Sequence, residues 1–180
     1  MKRPLSLLAL VLLPVALSAE TIDLGLHGSL SIAVPKGWTV STQKEEDSGV
    51  AITLSPVGPE NAKCILSVAV VPDPKPVAKE EIDEKVLSVC EQFVDASVEK
   101  KSVLRPFTVT NGAFGSYCVF TDASLVGKPT KRDEFKVIGI GIIRFRDDLM
   151  AAVSIAADDE KGPDFAAMLA AVSGATVTKK

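Results

Sequence analysis

The chain is predicted to be an α+β protein in which one mostly antiparallel sheet is covered by helices, and three observations carry this. Segments alternating apolar and polar residues with period two, of which 29–34 is the clearest, mark strands with one buried face. Short polar turns such as Asn111-Gly112 and Asp147-Asp148 separate neighbouring strand segments, which favours antiparallel pairing. Two stretches, within 77–96 and from Pro163 onward, space their apolar residues as a helix does. The order strands, helix, strands, helix is that of a sheet with helices laid on it.

Residues 22–26 are expected to form a short first strand, broken at His27-Gly28. In 29–40, SLSIAVPKGWTV, Leu30, Ile32 and Val34 alternate with Ser29, Ser31 and Ala33. Pro35 suits the second position of a type I turn and Gly37 supplies the positive φ that often follows, so Trp38-Thr39-Val40 is expected to return as the second arm of a hairpin. Lys44-Glu45-Glu46-Asp47 reads as a charged turn, 49–54 as a strand ending at Ser55-Pro56, and 57–62 as a loop. The nearly continuous apolar run 64–71 suits a central strand covered on both faces. Pro72-Asp73-Pro74-Lys75-Pro76 is a stiff, extended connector.

The helix that follows places Ile82, Val86, Val89, Cys90 and Phe93 on one face, with Glu84, Ser88, Glu91, Gln92 and Asp95 on the other. Segments 105–110 and 113–121 read as strands joined at Asn111-Gly112. A polar loop through 124–132 leads to a long strand, 134–145, and Asp147-Asp148 turns the chain into a last strand, 149–157. In the closing helix Pro163 sits in the first turn, Phe165, Met168, Leu169 and Val172 fall at i, i+3, i+4 and i+7, and Gly174 ends it.

The N-terminus has the anatomy of a secretory signal peptide over 1–19. Lys2 and Arg3 precede an apolar run at 5–16, and the small residues Ala16, Ser18 and Ala19 precede Glu20, with cleavage after either Ser18 or Ala19. A run of that length is shorter than the roughly 20 residues that cross a bilayer. Residues 20–180 are expected to form one domain, secreted or periplasmic and not membrane-spanning. Loss of Lys2 and Arg3 leaves 18 basic against 23 acidic residues, a net charge near −5, which disfavours nucleic acid as a partner.

Cys64, Cys90 and Cys118 have no CxxC spacing, so neither a zinc knuckle nor a thioredoxin-type pair is encoded. An oxidising compartment allows one disulfide among three pairings, or all three cysteines serve as small buried apolar residues. Gly139-Ile140-Gly141 begins like a dinucleotide fingerprint, but Arg144 stands where the last glycine belongs and the glycines lie inside a strand. They are expected to mark a bulge or the close approach of another backbone. The only histidine, His27, reads as a solvated turn residue, which leaves a serine triad without a base. The acidic groups at 45–47, 147–148 and 158–160 lack EF-hand spacing and read as solvated turns or helix N-terminal charges. No catalytic residue, cofactor or metal site is therefore assigned. Trp38 and the basic loop residues Lys128, Lys131 and Arg132 remain as a partner surface, against the plainer reading of half-buried core and solvated loop.

With its leader, the Val34-Pro35-Lys36-Gly37-Trp38 stretch, the Pro-bounded amphipathic helix, the further strands and the closing FAAMLAAV helix, the chain resembles the PsbP-like and DcrB-like superfamily. The resemblance implies an α/β/α sandwich around a six- or seven-stranded antiparallel sheet, used as a non-catalytic accessory or binding scaffold. It transfers no binding residue, since members of that superfamily bind unrelated partners through different surfaces. The expected function is a secreted or periplasmic accessory protein that binds another envelope protein. The alternatives are a small apolar ligand bound between sheet and helix near Trp38 and Phe93, or an enzyme using scattered carboxylates or a free cysteine.

Overall fold

The computed structural model describes residues 18–45, 49–58 and 61–180. Apart from Ser18 and Ala19, the leader lies outside them, as do Glu46 and Asp47 of the charged turn and Pro59 of the following loop. Along the chain run β1 (Ser18–Asp23), a 3-10 turn (Gly25–His27), β2 (Ser29–Val34), β3 (Trp38–Lys44), β4 (Val50–Pro56), β5 (Ala62–Val70) and α1 (Lys79–Val94). Then follow β6 (Arg105–Pro106), β7 (Phe114–Thr121), a 3-10 turn (Ala123–Leu125), β8 (Val137–Arg146), β9 (Leu149–Ala157), α2 (Pro163–Ser173) and β10 (Thr176–Thr178).

Seven strands form an antiparallel sheet in the order β3-β4-β5-β9-β8-β7-β6. The expectation of a single sheet is corrected by a second one of three strands, β1-β2-β10. The expected hairpin of 29–34 with 38–40 is corrected with it. Both edges of β2 are taken, one by β1 in register Ser18↔Val34 to Asp23↔Ser29, the other by β10. The chain beyond Pro35 therefore crosses to the large sheet, where Trp38 pairs with Pro56 and Lys44 with Val50. The turn itself forms, but Pro35 is its first residue: its carbonyl accepts the Trp38 N–H at 3.1 Å, with Gly37 at φ 81°. A tight turn between two strands has the same local sequence whether the strands pair or part. Strand β10, which decides this, lies in a C-terminal segment with no strand pattern of its own.

Alternation along the strands sends side chains to opposite faces, so the core divides in two across the large sheet. Tyr117 and Val119 of β7 join the larger cluster with Leu30, Ile32, Leu66, Ile143, Phe165 and Met168, where α2 packs on β9, β2 and β5. Cys118 and Phe120, one residue out of phase, join the smaller cluster with Ile82, Val86 and Cys90 of α1, which packs on β7 and β8. Each fully buried aliphatic side chain contributes roughly 1.5–3 kcal/mol by leaving water. Because α1 packs mainly on β7 and β8, β5 is not fully covered on both faces as expected. Cys64, Leu66 and Val68 are buried, whereas Ile65 and Ser67 between them stay partly exposed.

Both helices form, α1 two residues shorter at each end than the 77–96 stretch and α2 from Pro163 to Ser173. The Glu81 carboxylate accepts the Ala78 N–H at 3.1 Å at the start of α1. Pro163 opens α2, and the Gly174 N–H closes it on the Ala170 carbonyl at 2.9 Å. The strand glycines mark close approach, as expected. A Cβ on Gly141 would stand 2.5 Å from the Ser116 carbonyl oxygen and 2.6 Å from the Tyr117 Cβ, and one on Gly139 would meet the Phe165 ring at 3.2 Å.

Candidate functional site

The first strands of the two sheets face each other across a cleft of about 910 Å³. Its walls are β1, through Glu20 and Ile22, and β3, through Trp38, Val40, Thr42 and Lys44, and the turn at Pro35 closes one end. β1 and β3 are each terminal in their sheets, so among the described residues no strand pairs with the outer edge of either. An open edge presents a row of backbone N–H and C=O groups ready to pair with another chain. Trp38, the only tryptophan, is half-buried: it packs against the large core cluster while lining this cleft. The half-buried core position is the plainer reading of this residue, and its remaining surface faces the cleft.

The basic loop is placed elsewhere. Lys128, Lys131 and Arg132 are exposed in the connection between β7 and β8. That loop is pinned by the Lys131 N–H donating to the Glu134 carboxylate at 2.9 Å and by Asn61 donating to the Lys131 carbonyl at 2.9 Å. Arg132 lines a separate hollow of about 280 Å³ with Thr53, Ser55 and Lys63. These residues alternate with the core-facing residues of β4 and β5, so this hollow opens on the sheet face opposite to the one carrying Trp38. The fold does not bring Trp38 and the basic loop onto one surface.

A third pocket, about 250 Å³ and mainly apolar, lies at the C-terminal end of α1. Phe93 and Phe120 stack in it with ring centres 5.7 Å apart, and Phe135, Ile138 and Lys136 complete it. The alternative of a small apolar ligand places a pocket between sheet and helix near Trp38 and Phe93. It is present at Phe93, and Trp38 lies away from it.

The acidic pairs take structural roles. Arg144, 2% exposed, donates to the Lys75 carbonyl at 2.5 Å, the Asp147 carbonyl at 2.9 Å and the Asp147 carboxylate at 3.1 Å, fastening the proline-rich connector to the β8–β9 turn. Arg146 grips Asp148 through Nε at 2.9 Å and Nη2 at 3.1 Å, and donates to the His27 carbonyl at 2.9 Å. The His27 ring stands 3.3 Å from the same carboxylate, so this histidine is not a solvated turn residue. It ties the 3-10 turn after β1 to the large sheet. Glu160 pairs with Arg105, and Asp158 accepts from Thr130 at 2.8 Å. Among the described residues no three His, Cys, Asp or Glu side chains converge as metal ligands would.

The clamp has a consequence for pH. The Arg146 hydrogen bonds hold the Asp148 carboxyl below its ordinary 3.8, with His27 adding to them against the opposing effect of burial. A folded value below the unfolded one gives stability that is complete above about pH 4 and lost as pH falls through the lower folded value. Below about pH 4 the native chain is expected to lose stability more steeply than an Asp148→Asn variant, as read by urea unfolding across pH. Parallel pH profiles would remove Asp148 as the source. Sequence reading took 147–148 only as a turn, and the available signal was two arginines, at 144 and 146, at the end of an otherwise apolar strand.

All three cysteines are unpaired and fully buried, Cys64 in the larger cluster and Cys90 and Cys118 in the smaller. Burial pushes the thiols of Cys64 and Cys90 up to about 12, so neither offers a thiolate nucleophile at neutral pH.

No protein-family model and no curated protein matches the chain. Among solved structures it is similar to cyanobacterial PsbP from Synechocystis sp. PCC 6803, in solution, with a TM-score of 0.54 and 11% sequence identity, over 98% of this chain and 100% of that chain. At that identity the likeness speaks for architecture and leaves the surfaces free to differ. With two helices, an antiparallel seven-stranded sheet and this correspondence over nearly its whole length, the chain has a PsbP-like fold.

Proposed function

We propose that this chain is a non-catalytic accessory protein of the cell envelope, exported by its leader, that binds another envelope protein through the cleft between β1 and β3. One observation carries the reading: two open strand edges and the only tryptophan share one cleft. Such a cleft suits an extended segment of a partner, whose backbone pairs with an edge while an apolar side chain meets Trp38. The charges along the walls, Glu20 and Asp23 on β1 with Lys36 and Lys44 beside them, favour a segment of mixed charge over a polyanion.

The test is site-specific photocrosslinking in the source envelope, with the crosslinking residue at Thr42 inside the cleft or at Glu91 on the exposed face of α1. One dominant adduct from Thr42, absent from Glu91, is the expected result. Trp38→Ala should reduce that adduct at least about tenfold, as expected when a buried aromatic anchor at an interface is truncated. Ser41→Arg, on the outer face of β3 and outside the lining of the cleft, should leave it intact. Identical patterns from Thr42 and Glu91, or no adduct from either, would remove the cleft as the interface. The partner's binding should also shift the fluorescence of the protein, because Trp38 is its only tryptophan.

A second reading is favoured by the Phe93, Phe120 and Phe135 pocket, which has the size and lining for a small apolar ligand. It predicts saturable uptake of an apolar fluorophore that Ala96→Trp abolishes and Trp38→Ala leaves unchanged.

A further inference from the structure

We propose that Cys90 of α1 and Cys118 of β7 are joined by a disulfide when the chain folds in an oxidising compartment, while Cys64 remains a thiol. The proposal rests on the export reading for its oxidant, a small-molecule or protein disulfide.

Three pairings are open to three cysteines, and the sheet removes two of them. Cys64 projects from β5 into the larger cluster, where its strand partner is Ile155, and the large sheet separates it from the other two. Cys90 and Cys118 belong to the smaller cluster on the opposite face. The Cys90 thiol lies 3.9 Å from the Ile140 carbonyl oxygen, and Ile140 is the residue directly opposite Cys118 in the β7–β8 ladder. Directly opposed residues of an antiparallel ladder lie about 4.5–5.5 Å apart at Cα, so the Cys90 sulfur sits over the Cys118 position. A disulfide asks for Cβ atoms about 3.5–4.5 Å apart, and of the three cysteines only Cys90 and Cys118 share a cluster in which they can approach so closely.

The chemistry is thiol–disulfide exchange. One cysteine thiolate attacks a sulfur of the external disulfide R–S–S–R and expels one R–S⁻. The second thiolate attacks the mixed disulfide, forms the Cys90–Cys118 bond and expels the other R–S⁻. The protein loses two protons and two electrons, and the oxidant becomes two R–SH. In the folded chain both thiols are buried and Cys90 is held up to about 12, chiefly by that burial and then by Cys118 beside it. The exchange therefore belongs to folding, before α1 seals against the sheet, and the bond is then shielded from reductants.

The chain without its leader should be denatured and fully reduced, then refolded with reduced and oxidised glutathione, alkylated and mapped by mass spectrometry without reduction. The expected result is a linked Cys90–Cys118 peptide pair lighter by two hydrogens, with only Cys64 alkylated. The melting temperature should lie about 10 °C above that of chain refolded under reduction, because the bond closes a long loop through 91–117. Cys64→Ala should keep the link and the shift, and Cys118→Ala should lose both. Three alkylated cysteines, or a link that includes Cys64, would overturn the proposal. Should the chain not refold, the same map is read from protein made in the source cell and trapped with N-ethylmaleimide, with the same outcomes for and against. A bond in the refolded chain beside three thiols in the cell supports the pairing and overturns the export reading alone.

Discussion

Gly141→Val is expected to cost at least about 3 kcal/mol of folding stability, measured by urea unfolding of the purified chain. Gly141 lies in β8 directly opposite Tyr117 of β7. The first atom of any side chain there would fall 2.5 Å from the Ser116 carbonyl oxygen and 2.6 Å from the Tyr117 Cβ, with the Phe107 ring at 2.8 Å. One of these obstacles is backbone in the middle of a sheet, so relief requires β7 and β8 to move apart and give up ladder hydrogen bonds. Gly139 provides the control two residues away on the same face. Its new Cβ would press only on the far edge of the Phe165 ring at 3.2 Å, with Ile155 Cβ in ordinary contact at 3.5 Å, and a ring on α2 can yield by a few tenths of an ångström. Gly139→Ala should therefore cost about 1 kcal/mol or less. Equal losses at the two glycines would show that backbone approach is not what excludes a side chain from Gly141.

Arg144→Ala is expected to be nearly as damaging, at about 3 kcal/mol, through lost hydrogen bonds and lost packing of a long side chain. The guanidinium is almost fully buried and holds three acceptors, two of them main-chain carbonyls belonging to different loops. Removing it frees the 72–76 connector from the β8–β9 turn, and that connector sets where α1 begins. Arg144→Lys should recover less than half of the loss, because all three hydrogen bonds come from the terminal nitrogen Nη2, and the shorter lysine side chain brings a more strongly hydrated ammonium short of that position. The exposed ion pair of Arg132 with Asp133, 3.8 Å apart, offers the comparison. Arg132→Ala should change stability by less than about 0.5 kcal/mol. A loss under about 1 kcal/mol at Arg144 would mean that water replaces the guanidinium without penalty.

Most elements were legible one by one, because their signals are local. Period two in 29–34 and 149–157, helical spacing in 79–94, Pro163 and Gly174 at the ends of α2, and Asn111-Gly112 between strands act through residues a few positions apart. Strand β10 was not legible, since Thr176–Thr178 is too short to show a period and exists through its pairing with β2. The length of β6 was overestimated for a related reason. The Phe107 N–H still donates to the Gly115 carbonyl at 3.0 Å and its ring packs at a tilt against Tyr117 with centres 4.7 Å apart, but from Thr108 onward the chain no longer follows the edge of β7.

The site was legible in its parts and not in its assembly. Trp38 was singled out as an aromatic after a turn. That it lines a cleft between two sheets depended on β2 having both edges filled, which no stretch near Trp38 reports. The cysteines are parallel to this: their spacing allowed three pairings, and only the strand phase at Cys118 against Cys64, on opposite faces of one sheet, separates them. His27 and Asp148 are 121 positions apart, and nothing near either one announces the other.

The sequence by itself determined most of the strands and both helices, which of their faces are apolar and where the strand glycines need room, because each follows from the chemistry of neighbouring residues. The tertiary structure alone decided that the strands divide into two sheets, that Trp38 and the basic loop open on different faces, and that Arg144, Arg146, Asp148 and His27 bind distant loops together. Those outcomes depend on which edge reaches which partner across the whole chain, and on the burial that makes a fixed pairing worth more than its alternatives.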